Sequence, residues 1–126
     1  MSKILVLDDS TELLEMFSIL FKKHQLDCVT ANCIDSLYKQ LQTNLPDLVL
    51  IDVRLNGMDG REICKELKTR NAFKSIPIIL MSSSASKLID YKNFNADDVL
   101  EKPFGITVLL GKIDDLLHTI HGTNIS

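Results

Sequence analysis

The sequence predicts a doubly wound α/β domain: five parallel strands in one sheet, with helices on both faces. Three observations predict it. Short continuous apolar runs, rich in Val, Ile and Leu, recur along the chain. Such runs suit strands buried on both faces of a parallel sheet. Between them lie segments whose apolar residues recur at helical spacing. The two kinds alternate, and a βαβα rhythm implies parallel strands with right-handed crossovers.

The first run, Ile4–Leu7, has strand length and delivers two adjacent carboxylates, Asp8 and Asp9. Ser10 is placed to N-cap the first helix, whose stripe is Leu13, Leu14, Phe17, Leu20 and Phe21. A weaker run, Cys28–Ala31, is the second strand. Ile34, Leu37, Tyr38 and Leu41 mark the second helix. Asn44–Pro46 breaks the chain before the third strand, "DLVLID", with its core at Leu48–Ile51 and Asp52 at its end. Asn56–Gly57 reads as a further break, and Ile63 and Leu67 mark the third helix. The fourth strand, "IPIILMSS", centres on Ile78–Met81 and ends at Ser82 and Ser83. Residues 86–95, "SKLIDYKNFN", are the least periodic stretch and are expected to form a short fourth helix. Val99–Leu100 lies in the fifth strand, which leads to Lys102 and Pro103. Leu109, Ile113, Leu116, Leu117 and Ile120 mark a fifth helix.

With 126 residues, 45% hydrophobic and 25% charged, the chain suits one domain over 1–126 with a full core. The net charge is −3 and the basic residues are scattered, which argues against direct nucleic-acid binding. Cys28, Cys33 and Cys64 are odd in number and form no C-x-x-C pair, so reduced thiols and a cytoplasmic location are expected. His24, His118 and His121 do not cluster with them, so zinc is disfavoured. The apolar runs are far too short to span a membrane, and acids follow the first run too soon for a signal peptide.

In open α/β sheets, ligands collect at the carboxyl ends of the strands. Those ends carry Asp8 and Asp9, Asp52, Ser82 and Ser83, and Lys102. Taken singly, each has a simpler explanation: a helix cap, a loop serine, a surface lysine. Their shared edge changes the odds. Two carboxylates about 4 Å apart repel by roughly 4 kcal/mol at an effective dielectric near 20, so three call for a cation. Mg²⁺, which takes oxygen ligands, fits Asp8 and Asp9 and leaves Asp52 as a nucleophile toward phosphorus. The Ser82 hydroxyl and Lys102 could spread charge on the transferring oxygens. Asp59, Asp97 and Asp98 are read as helix-start or strand-start residues. No P-loop, dinucleotide fingerprint or nucleophile elbow occurs. Acids after the first strand also argue against a flavin phosphate there.

In this order, the acidic pair Asp8–Asp9, the segment "DVRLNGMDG" from Asp52, Ser82 and "KPF" at 102–104 resemble the receiver domain of two-component response regulators, of the chemotaxis-receiver type. The resemblance spans almost the entire chain. It implies a flavodoxin-like sheet of order 2-1-3-4-5 with five helices. It implies that Asp52 accepts a phosphoryl group from a histidine kinase or phosphotransfer protein. Asp9, Asp52 and the Arg54 carbonyl would hold Mg²⁺ directly, and Asp8 mainly through water. Ser82, the Ser83 N–H and Lys102 would bind the arriving phosphoryl group. Lys102–Pro103 is expected to be cis, aiming the lysine inward. Ser82 and Lys102 would then move toward Asp52, and the last two helices with the fifth strand would form the output face for a protein target.

The sequence departs from the family in places. Val99 stands where an aromatic ring is common, which puts the usual aromatic relay in question. Asn56 replaces a frequent proline, and Arg54 and Ser84 occupy variable flanking positions. The expectation is a stand-alone phosphorelay switch, a monomer or weak dimer, rather than an enzyme. The rivals are a receiver excised from a larger regulator or hybrid kinase, and a Mg²⁺-dependent aspartyl-phosphate phosphatase. The latter usually carries D-x-D at the first strand, whereas Asp8 and Asp9 are adjacent.

Overall fold

A computed structural model describes the backbone of residues 1–121 and the side chains of residues 1–118. The Ile120 side chain, expected on the last helical stripe, and the tail "GTNIS" lie outside the described residues. The strands β1 (Lys3–Leu7), β2 (Asp27–Ala31), β3 (Leu48–Asp52), β4 (Ile78–Ser82) and β5 (Asp98–Glu101) form one parallel sheet. Its order is β2-β1-β3-β4-β5, as expected. The helices are α1 (Thr11–Lys23), α2 (Ile34–Thr43), α3 (Gly60–Leu67) and α4 (Ile106–His121).

The apolar runs are continuous because both sheet faces are covered, and the side chains divide by the two-residue period of a strand. Leu5, Leu7, Val49, Ile51, Ile78 and Leu80 point to one face and pack with Leu37 and Leu41 of α2 and with Ile63, Cys64 and Leu67 of α3. Ile4, Val6, Leu48, Leu50, Ile79 and Met81 point to the other. There they meet Leu14, Phe17, Leu20 and Phe21 of α1 and Leu109, Ile113 and Leu117 of α4. Phe17 is fully buried, with ring centroids 5.5 Å from Phe21 and 5.7 Å from Phe104. The caps read from sequence form: the Ser10 hydroxyl accepts from Leu13 N–H at 3.2 Å, and Asp59 accepts from Arg61 N–H at 2.9 Å.

The expected fourth helix is corrected. Two short 3₁₀ turns, Ala85–Lys87 and Tyr91–Phe94, occupy that segment, so four α-helices are found among the described residues. Leu88 is buried and Tyr91 and Phe94 are half-buried. Tyr91 and Phe94 share the second turn at the i, i+3 spacing at which 3₁₀ side chains eclipse, and Leu88 lies between the two turns. Asn95, with φ of 62°, ends the segment in the left-handed region that asparagine tolerates.

Between β3 and α3 the chain makes a small hairpin, Arg54–Leu55 against Met58–Asp59. Gly57 turns it at φ of 71°, where the lack of a Cβ removes the strain. This is the break read at Asn56–Gly57. The hairpin closes when Gly60 N–H donates to the Val53 carbonyl at 2.7 Å.

Candidate functional site

The strand register sets the site. Leu7 pairs with Ile51, Asp52 with Met81, and Ser82 with Glu101. Asp8, Asp52, Ser82 and Lys102 therefore emerge from four strands at one edge of the sheet. Asp8 is 1% exposed, Asp52 7% and Ser82 5%, the polar and charged residues buried among those described. An apolar strand is what carries a carboxylate to such a depth.

Asp8, Asp9 and Asp52 each offer an oxygen within 4.8 Å of the others. The Lys102 ammonium lies 2.9 Å from Asp8 Oδ2 and 3.3 Å from Asp52 Oδ2. Asp8 Oδ1 accepts from Ser10 N–H at 2.9 Å, so both Asp8 oxygens are engaged. Three carboxylates against one ammonium leave two uncompensated negative charges. Burial pushes the Asp52 carboxyl above the ordinary carboxylate range, the Asp8 charge adds to this, and Lys102 opposes it.

A cavity of about 140 Å³ opens beside this cluster. Asp52, Ser82, Ser83 and Lys102 line it, joined by Arg54, Ser84 and Lys87. Asp8 and Asp9 are not in its wall. Ser82 is held at its rim from both sides. Its hydroxyl accepts from Ser84 N–H at 3.0 Å, and its carbonyl accepts from Lys102 N–H at 2.8 Å. The Lys102–Pro103 peptide is cis. Arg54 N–H approaches Asp52 Oδ1 at 3.4 Å, while its side chain is exposed.

Every residue singled out from sequence thus lies in the acid cluster or the cavity wall. Asp52 alone among the described residues belongs to both. Asp59, Asp97 and Asp98 take structural roles. Asp59 caps α3; Asp97 accepts from Ile78 N–H at 2.8 Å and from Lys68 at 2.8 Å; Asp98 pairs with Lys112 at 3.1 Å. Two positions escaped the sequence reading. Lys87 had no visible tie to the site. Gly60 sits where a Cβ would collide with the carbonyl oxygen of Asp52, so its hydrogen atom lets the helix start reach the end of β3. The signal for Gly60 was a glycine at the first position of a helix, which propensity disfavours.

A family model for the response regulator receiver domain matches residues 4–114. The chain belongs to the response regulator receiver family. Protein PilG of Pseudomonas aeruginosa is 34% identical over 114 residues, covering 88% of this chain and 84% of PilG. The phosphate regulon transcriptional regulatory protein PhoB of Escherichia coli is 28% identical, covering 94% of this chain and 52% of PhoB. The chain thus spans about half of PhoB. The response regulator TrrA of Thermotoga maritima, solved in complex with Mg²⁺–BeF, superimposes with a TM-score of 0.82 at 26% identity, covering 92% of this chain and 99% of TrrA. Receiver domains are signalling switches of two-component systems. Among the described residues of this receiver, no helix is long and apolar enough to cross a membrane.

Proposed function

We propose that Asp52 is the phosphoacceptor of this receiver, and that a histidine kinase or histidine phosphotransfer protein is its donor. The observation that carries this is the position of Asp52. It is the described residue common to the cation-seeking acid cluster and the cavity. An Asp52 oxygen forms the new bond to phosphorus. The bond from phosphorus to the donor breaks, and the leaving group departs with that electron pair. Ser82, Ser83 and Lys102 line the cavity; the Ser82 hydroxyl, the Ser83 N–H and the Lys102 ammonium would be the hydrogen-bond and charge partners of the arriving oxygens.

The donor set suits Mg²⁺: oxygen ligands, two surplus negative charges, and a half-exposed Asp9 that leaves room for water. Asp9, Asp52 and the Arg54 carbonyl would be its direct ligands. The double engagement of Asp8 supports an outer, water-linked role for that residue. The ion would neutralise charge on the transferring oxygens.

Phosphorylation adds about −1.5 to −2 charge at Asp52. Lys102, now shared between Asp8 and Asp52, gains a stronger partner, and the Ser82 hydroxyl gains an acceptor. The loops after β4 and β5 follow them, which biases two pre-existing arrangements of the output face. That face comprises the 3₁₀ turns, β5 and α4. Val99 is half-buried and pairs with Leu80 in the register, so packing there must act without a ring. A protein target reads the face, and the three free thiols support a cytoplasmic setting.

The test is labelling by a small acyl phosphate with Mg²⁺, followed by intact mass. One phosphoryl group is expected on the wild type and none on Asp52→Asn. Equal labelling of both proteins refutes the assignment, and multiple turnover of phosphate esters points to a phosphatase instead. A one-domain reading over 1–126 accompanies this proposal. The half-length match to PhoB favours a second context, a receiver working as the input part of a longer regulator. Intact mass of the protein from its native source decides between the two.

A further inference from the structure

We propose that Lys87 is a second phosphoryl-recognising cation and sets how readily small anionic phosphodonors react with this receiver. The inference rests on the assignment of Asp52 as acceptor. The cavity wall is strongly asymmetric in charge. It contains one carboxylate, Asp52, against Arg54, Lys87 and Lys102. Lys102 is already divided between Asp8 at 2.9 Å and Asp52 at 3.3 Å. The cationic surplus that an incoming dianion meets therefore comes from Arg54 and Lys87. Neither side chain forms a salt bridge within 4.0 Å among the described residues, and Lys87 acts on Asp59 only as the weakest of the influences that lower its carboxyl.

Lys87 is distinguished by how its backbone is held. It ends the 3₁₀ turn Ala85–Lys87, on a different segment from Asp52. Its carbonyl accepts from Arg61 Nη1 at 3.5 Å. Arg61 is itself fixed by Asp59 at 2.8 Å, and its guanidinium stacks over Phe94 at 5.1 Å. The N-terminus of α3, adjoining Asp52 through Gly60, is thus tied to the turn that carries Lys87. The backbone of Lys87 is anchored, and the residue lines the cavity while its charge also reaches Asp59 at the start of α3. A lysine suits this task, because a compact charge on a flexible stem can follow an anion as it enters.

The test measures the second-order rate constant for labelling by acetyl phosphate, at fixed Mg²⁺, for wild type, Lys87→Gln, Lys87→Arg and Lys87→Glu. Thermal unfolding of each is followed in parallel. Lys87 is exposed, so all four are expected to melt together. The Gln variant should react about fivefold more slowly, the order expected for one screened charge acting on a dianion at a partly exposed site. The loss should appear as a higher half-saturating donor concentration at unchanged maximal rate. The Arg variant should recover the rate, the Glu variant should be slower than Gln, and the differences should shrink with added salt. Wild-type rates in both the Gln and Glu variants overturn the proposal, as does failure of Arg to rescue. Those results leave the Asp52 assignment standing. Labelling of Asp52→Asn, or none of the wild type, overturns that assignment and this proposal with it.

Discussion

Replacing Asp52 by Asn should stabilise the metal-free protein and remove its response to magnesium. The Asp52 carboxylate lies within 4.8 Å of oxygens of Asp8 and Asp9. At an effective dielectric near 20, each such repulsion is about 3.5 kcal/mol, against about 5 kcal/mol of attraction to Lys102 at 3.3 Å. Solvent at the half-exposed Asp9 weakens its share. The substitution should then gain about 1–2 kcal/mol, or roughly 4–8 °C in Tm for a chain of 126 residues. The pH dependence has a fixed sign. The folded Asp52 carboxyl is raised above its unfolded value, so the native state binds the proton more tightly. Stability is full below the ordinary carboxylate pKa and falls as pH rises through the raised one. In EDTA, the advantage of the Asn variant should therefore grow as pH rises through that window. With magnesium at a hundredfold over its dissociation constant, the wild type should recover about 2.7 kcal/mol and the Asn variant far less. Calorimetry in EDTA and in Mg²⁺ measures both effects. An Asn variant that melts below the wild type in EDTA, or gains as much from magnesium, refutes the reasoning.

Lys102→Ala leaves Asp8, 1% exposed, without its ammonium partner and should cost about 3 kcal/mol in urea unfolding. That variant should still be labelled by a small phosphodonor, with a weaker conformational response by NMR; an unchanged response would deny Lys102 a switching role. Gly60→Ala forces a Cβ against the Asp52 carbonyl and Ile51 Cγ2 and should destabilise by about 1–3 kcal/mol while slowing labelling. Wild-type stability and labelling in that variant would contradict the close approach. Phe17→Ala, emptying a fully buried ring site between Phe21 and Phe104, should cost about 3–5 kcal/mol by the same urea measurement. In the folded protein, iodoacetamide should modify the exposed Cys33 and spare Cys64, whose burial raises its thiol pKa to about 12; peptide mass mapping reads this, and early Cys64 modification would contradict its burial.

The sequence by itself determined the strands, three helices and the last one, and the edge where the site forms. It could do so because these features are local. A buried parallel strand is a continuous apolar run, a packed helix is a 3.6-residue stripe, and the residue after each strand lands at the sheet's carboxyl edge. The acids, Ser82 and Lys102 were legible for that reason. Tertiary structure alone decided the rest. The segment 85–94 folded as two 3₁₀ turns, with Leu88 buried between them and Tyr91 packed on the same core, an outcome that its weak periodicity left open. The sequence named Asp52 as both metal ligand and nucleophile, but its depth and its place between the acid cluster and the cavity depend on how β1, β3 and β4 register. Gly60 and Lys87 acquire their meaning only from neighbours distant in the chain or from backbone contact, and one-dimensional spacing carries no record of either.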